Sequence, residues 1–241
     1  MSATEATPNV GTTQGQARSL DLGESGHRFA RGWHCLGPVS IFQDGKPHAV
    51  EAFGGKLVVW ADTKGDVQVL DAYCRHMGGD LTQGEVKGDE VACPFHDWRW
   101  AGDGKCTSIP YARRVPLRAR TQRYETAINQ GLLLIWHDPE GSAADHSLLP
   151  PEIEGITDPD VYTDWTWSTL DVPTANCREI VDNVVDMAHF FYIHFAFPTM
   201  FRNVFEGTTA TQFMESTGRP DKAEQGYGDE NLVLKSEASY F

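Results

Sequence analysis

The chain has 241 residues, of which 40% are hydrophobic and seven are Trp, and it carries a formal net charge of −14. That length suits one large domain or two ordinary ones with a sizeable core. The acidic balance argues against nucleic acid or anionic membrane as partners, and fits a solvated acidic surface or docking to a basic patch.

No basic stretch followed by an apolar one opens the chain, so no signal peptide is expected. The longest uninterrupted aliphatic or aromatic run covers residues 132–136. That is far short of the roughly 18 residues needed to cross a bilayer, so no membrane span is expected. Residues 1 to about 25 are rich in Thr, Ser, Gly, Gln and Ala and predict a disordered tail. Structure is expected from Phe29 to His34 onward.

Residues 57–61 and 67–72 are β-rich and flank Thr63-Lys64-Gly65-Asp66, a hairpin that delivers Cys74 after its second strand. Residues 90–92 lead into Cys93, and Gly102-Asp103-Gly104 turns the chain back. Residues 124–128 and 132–137 flank Asn129-Gln130-Gly131, another hairpin signal. Short strands and turns through about residue 140 predict a small antiparallel β domain. Proline, glycine and acidic residues then crowd residues 138–160 and predict a connection. Residues 162–172 read as a strand.

Within the β domain stand Cys74-Arg75-His76 and, sixteen residues later, Cys93-Pro94-Phe95-His96. Each loop offers one thiolate and one imidazole in the same order. Zinc sites more often use Cys-x-x-Cys followed by paired His. One Cys and one His per loop is the pattern of a Rieske [2Fe–2S] cluster, where two Cys hold one iron and two His the other. Neutral imidazoles lower the negative charge at one iron and raise the potential, so the centre passes single electrons. Met77-Gly78-Gly79-Asp80 gives the first loop glycines that let backbone approach sulfur. Cys35, Cys106 and Cys177 remain, too few for a disulfide framework, so a reducing cytoplasm is the expected location.

A second constellation reads Asn183-x2-Asp186-x2-His189-x4-His194. On one helix, residues 183, 186 and 189 would share a side. His189 and His194 are five apart, about 140° on a regular helix. They can share a metal only through a π-bulge or a break. Two His and a carboxylate on one face of Fe(II) leave positions open for dioxygen.

These motifs resemble the Rieske non-haem iron oxygenases. The longer wording at residues 73–81, 93–100 and 186–195 is similar to the steroid branch, the oxygenase components of 3-ketosteroid 9α-hydroxylases. Asp97 stands where many Rieske proteins have Gly, a departure that branch shares. The resemblance implies an α+β fold, mainly antiparallel β. A Rieske β domain (26–140) and a linker (141–160) would precede the N-terminal part of a helix-grip catalytic domain (161–241). It implies a [2Fe–2S] cluster on Cys74, His76, Cys93 and His96, and mononuclear Fe(II) on His189 and His194. Hydroxylation of a 3-ketosteroid at C9 would use O2 and electrons from a separate flavin and iron–sulfur reductase that oxidises NADH. Subunits would form a head-to-tail homotrimer, with Asp186 linking His96 of one subunit to His189 of the next. Asn183 is either a group near the iron or a local helix hydrogen-bonder.

The resemblance places the third iron ligand on a helix well beyond residue 241. Only 47 residues follow His194. They hold Glu206, Glu215, Asp221, Glu224, Asp229, Glu230 and Glu237, mostly in a stretch (216–231) that reads as a loop before a final strand-like run. A truncated, incomplete helix-grip domain is therefore expected, which hydroxylates nothing by itself. The competing classes are a Rieske-type electron carrier without catalytic iron, a Rieske oxygenase acting on another apolar polycyclic substrate, and a zinc-stabilised binding module. His76→Cys or His96→Cys should retain a cluster but lower its potential, because a thiolate disfavours the added electron. A redox titration showing an unchanged or raised potential would remove these histidines from the ligand set.

Overall fold

The computed structural model describes residues 29–153, 160–163, 165–170, 177–225 and 233–240. The expected tail over residues 1 to about 25 lies outside them. Its elements are mainly antiparallel β, as the motifs imply, and their arrangement follows from one strand.

Leu57-Val58-Val59-Trp60-Ala61 has no polar position to give to solvent, so as a strand it must be covered on both faces. Three sheets achieve this. Strands β1 (Gly32–Pro38), β2 (His48–Ala52), β3 (Gly55–Ala61) and β4 (Val67–Asp71) open the chain. β3 lies between β2 and β4. The short strands β5 (Glu85–Lys87), β6 (Glu90–Ala92), β7 (Arg99–Ala101) and β8 (Cys106–Ser108) form a meander. β9 (Thr126–Asn129) and β10 (Leu132–His137) close a third sheet in the order β1-β10-β9. Leu57, Val59 and Ala61 pack with Phe42, Leu133 and Ile135 on one side. Val58 and Trp60 pack with Leu81, Val91, Trp100 and both Cys74 and Cys93 on the other. The two faces of β3 thus join two cores, and the second is the floor of the Cys-His loops.

The hairpins fall where expected. Asp62 Oδ1 accepts from the backbone N–H of Lys64 (2.9 Å) and Asp66 (3.0 Å), which sets the β3–β4 turn. Gln130 and Gly131 both have positive φ, +52° and +80°, the two-residue turn whose twist matches its strands. That turn is also an anchor. Trp167 Nε1 donates to its Gln130 carbonyl at 2.9 Å, and Gln130 Oε1 accepts from Ile153 N–H at 2.6 Å.

The expected strand at 162–172 is not formed among the described residues 162–163 and 165–170. Trp165 and Trp167 pack edge to face, 5.4 Å between centroids. The segment is held by the Trp167 indole rather than by a backbone ladder.

Two short helices follow, α1 (Cys177–Val184) and α2 (Met187–Tyr192), and then an antiparallel sheet of β11 (Ala196–Glu206), β12 (Thr209–Gly218) and β13 (Leu234–Tyr240). The loop expected over 216–231 starts later: residues 216–218 belong to β12, where Ser216 pairs with Leu234. Residues 220–225 form a 3-10 segment, and 226–232 lie outside the described residues.

Leu57→Ala or Ile135→Ala should each cost about 2–5 kcal/mol, the range for a buried aliphatic truncation. Urea unfolding followed by Trp fluorescence measures this; a midpoint matching the parent would contradict the packing of β3 on β10.

Candidate metal centres

The two Cys-His loops are closed by the same pair of backbone hydrogen bonds. Cys74 N–H donates to Gly79 O and Gly78 N–H to Cys74 O, both at 2.8 Å. Cys93 N–H donates to Trp98 O at 2.9 Å and Asp97 N–H to Cys93 O at 3.0 Å. Gly78 and Asp97 therefore occupy the same place in the two loops. Both are left-handed, at φ +71° and +55°. Glycine takes that conformation without strain, and Asp is among the few other residues that tolerate it. This accounts for Asp97 where a Gly is common. Its carboxylate bonds Lys87 Nζ at 2.8 Å and Arg99 Nη2 at 3.4 Å. The Lys87 hydrogen bond, helped by Arg99, holds the Asp97 carboxyl below the usual range.

Both loops present thiols inward and imidazoles outward. Cys74 and Cys93 are buried, while His76 and His96 are exposed with ring centroids 4.8 Å apart. Trp98 stacks on His76 at 4.6 Å and 6°, and donates from Nε1 to Tyr111 Oη at 2.7 Å. At the foot of the first loop, burial works against the Asp80 carboxylate. Hydrogen bonds from Thr82 and Lys56 outweigh it and keep its pKa low. Burial pushes the Cys74 thiol up, and the nearby Cys93 adds to this. The His76 backbone N–H and the Trp100 indole N–H act the other way. The Trp100 indole is otherwise a buried donor lacking a hydrogen-bond partner among the described residues.

This donor set fits an iron–sulfur cluster. Two adjacent buried thiols become stable thiolates only when a cation takes up their charge. A buried indole N–H beside them, with no other acceptor among the described residues, suits sulfur as acceptor. Gly79 keeps the cradle open: a Cβ there would stand 2.7 Å from Cys93 Sγ and 3.2 Å from the Phe95 ring.

The second constellation does not lie on one helix. The chain breaks at Val185-Asp186, so Asn183, Asp186 and His189 do not share a continuous face. Asp186 is extended (φ −88°, ψ 92°) and caps α2, its carboxylate accepting from the backbone N–H of Ala188 and His189. An Asp at this place caps a helix more readily than it continues one. Asn183 is exposed at the end of α1, and its carbonyl accepts from Asp186 N–H. Beyond His189, α2 ends: Ile193 N–H donates back to His189 O, and Phe195 turns left-handed at φ +55°. This break, not a π-bulge, brings the His189 and His194 rings to 5.3 Å between centroids. His189 Nδ1 lies 2.5 Å from the Asp186 carbonyl oxygen.

β12 and the residue just after it support both helix ends, which sequence reasoning missed. Gln212 Nε2 donates to the Val184 carbonyl, and Arg219 Nη1 to the Phe191 carbonyl at 2.7 Å. The Arg219 guanidinium also lies 3.8 Å from the Phe191 ring centroid. Both side chains are largely buried. Nothing in the sequence pairs residues 28 apart, although a Gln in a strand that buries one face, and an Arg just past its end, were a signal. Two imidazoles so placed fit iron as two of its donors. Among the described residues no Asp or Glu joins them in a group of three.

A family model of the Rieske [2Fe-2S] domain matches residues 32–124, and one of the 3-ketosteroid 9alpha-hydroxylase C-terminal domain matches residues 135–241. A 3-ketosteroid-9-alpha-monooxygenase oxygenase component of Rhodococcus rhodochrous is 62% identical over 227 residues, 94% of this chain and 59% of the relative. One of Mycobacterium tuberculosis is 57% identical over 93% of this chain and 58% of the relative. Dicamba monooxygenase bound to dicamba shares the fold at a TM-score of 0.64, with 18% identity over 87% of this chain and 61% of that one. The chain therefore belongs to the Rieske non-haem iron oxygenases, whose cofactors are a [2Fe–2S] cluster and a mononuclear iron. Within that class its family is that of the 3-ketosteroid 9α-hydroxylase oxygenase components. The chain spans somewhat under three fifths of the length of these relatives.

Among the described residues no helix is long and apolar enough to cross a membrane. Gly79→Ala should abolish most cluster incorporation, read as loss of visible absorbance and of acid-labile sulfide, because its methyl displaces Cys93. Asp97→Gly should be tolerated better than Asp97→Ala, since only Ala is strained at positive φ. Equal iron content in all three variants would contradict the loop geometry.

Proposed function

We propose that this chain is the electron-accepting and iron-bearing part of a monooxygenase that hydroxylates a 3-ketosteroid at C9. The observation that carries the reading is the convergence of the two donor sets: two buried thiols with two exposed imidazoles, and two imidazoles at a helix break. The domain assignment is a Rieske unit over 26–140, a connection over 141–160 and catalytic-domain sequence over 161–241. Cys74, Cys93, His76 and His96 hold the cluster, and His189 and His194 hold the iron. When bound, these centres supply one-electron transfer and activation of dioxygen.

The chain's own residues position that chemistry. The buried thiols keep water from the sulfur side, while the exposed imidazole edges of His76 and His96 are where electrons leave for a neighbouring subunit. Asp186 fixes α2 through its cap and orients His189 through its carbonyl, and its half-exposed carboxylate remains available to His96 of a second copy. That pairing requires a head-to-tail trimer. Asn183 is a polar neighbour at the mouth of the iron site. A separate NADH-dependent flavin and iron–sulfur reductase is the electron source, and a reducing cytoplasm is the location. The names of the relatives support the substrate class, and the shared wording around residues 186–195 supports the branch.

Iron and acid-labile sulfide content, with product analysis on several 3-ketosteroids in the presence of reductase, tests this reading. A chain that binds zinc in place of iron and sulfide would end it. Asp186→Asn should leave both metal sites filled yet slow re-reduction of the iron by about tenfold or more, the scale seen when a carboxylate behind a ligating His is lost. Re-reduction of the iron at the parent rate would remove Asp186 from the electron path.

A further inference from the structure

The net charge of −14 hides a local reversal. Between Asp103 and Glu125 the sequence has no acidic residue, yet it carries Lys105 and five arginines. Lys105 bonds Asp103 at 2.6 Å, and Arg120 faces the same carboxylate. Arg123 pairs with Glu125 at 2.5 Å. Arg113, Arg114 and Arg118 are exposed, and none of them has an acidic partner among the described residues.

These three stand on a firm turn. Ala119 N–H donates to Pro116 O and Cys106 N–H to Ala119 O, both at 2.9 Å. Val115 and Ala119 pack onto the core that contains Cys74 and Cys93. Leu117 projects from the tip, 96% exposed. A hollow of about 470 Å³ is lined by Arg114, Val115, Pro116, Leu117 and Arg118. The turn starts beside Tyr111, which receives the Trp98 hydrogen bond and lies 6.5 Å from the His96 ring.

We propose that residues 113–118 are the docking surface for the acidic face of the one-electron donor protein. This rests on the Rieske reading above and deepens it. An acidic donor is repelled by the average surface of an acidic chain, so a compact cationic turn next to the cluster histidines steers it to the productive place. Leu117 supplies the apolar centre and the arginines the charged surround, the anatomy of a small interface. Residues 160–241 of a second copy are also acidic. A six-residue turn, however, is too small for the roughly 800 Å² per partner of a stable interface, and suits a transient electron-transfer complex.

The test titrates an oxidised, acidic plant-type [2Fe–2S] ferredoxin into the 241-residue chain by calorimetry, at about 20 mM and about 500 mM salt. The parent is compared with Arg113→Glu/Arg114→Glu/Arg118→Glu, and with Lys46→Glu/Lys64→Glu as a charge control. The triple variant should bind at least about tenfold more weakly at low salt and lose its salt dependence, while the control binds as the parent does. Cluster reduction by photoexcited deazaflavin should be unchanged in all three. Parent-like binding by the triple variant, or salt-independent binding by the parent, overturns the proposal. So does a change in sedimentation of the triple variant, which assigns the turn to contacts between copies. A chain whose iron and sulfide are absent fails the Rieske reading instead, and the titration distinguishes the two.

Discussion

Everything near the cluster depends on one constraint: two loops from different hairpins must present their donors to one point. The solution is to fold both loops identically. In each, the Cys N–H reaches five residues ahead, and the residue at the fourth place turns left-handed to donate back to the Cys carbonyl. A loop closed this way holds the backbone of its cysteine in place. The donors are then set relative to each other by β3, whose second face packs against both cysteines. Local hydrogen bonds fix each loop, and a doubly buried strand fixes the pair.

The same constraint separates what was legible in the sequence from what was not. Candidate ligands are read from residue type and spacing, which is how Cys74, His76, Cys93 and His96 were singled out. Hairpins carry local turn chemistry, so the turns at Thr63-Lys64-Gly65-Asp66 and Asn129-Gln130-Gly131 could be read directly. Asp97 was visible as a departure, but its reason required φ, which no spacing reveals. The helical spacing of Asn183, Asp186 and His189 misled because Asp is both a tolerable helix residue and a strong cap. Tertiary support decided the matter: Gln212 takes the last carbonyl of α1, which ends that helix before Asp186. A strand read at 162–172 failed for a related reason, since β-rich composition does not create a partner strand.

The two metal regions also differ in how they are made firm. The cluster loops are braced by backbone hydrogen bonds within themselves. The iron region is braced from outside, by Gln212 of β12 and Arg219 just beyond its end reaching the ends of α1 and α2. Helices of eight and six residues have little stability of their own. Their position is therefore a property of the sheet, and α2 rests mainly on β11. Around them Ile180, Val181, Phe197 and Phe205 remain exposed, whereas the β3 core is closed.

Asp186 shows how a helix cap can serve a second purpose. One carboxylate oxygen accepts the Ala188 and His189 N–H groups at 2.9 and 3.3 Å. The other stands 3.9 Å from His189 Nδ1, beyond hydrogen-bond length, on a side chain that is half exposed. The nearer acceptor for that ring nitrogen is the Asp186 carbonyl. The residue thus divides its work by atom. Its carbonyl orients the imidazole, its inner oxygen caps the helix, and its outer oxygen is aimed by the cap without being used by it. A free Asp would spend rotamer entropy to reach a partner's histidine. Here the cap has already fixed the side chain, so a second imidazole arriving from solvent would meet an acceptor that is pre-positioned.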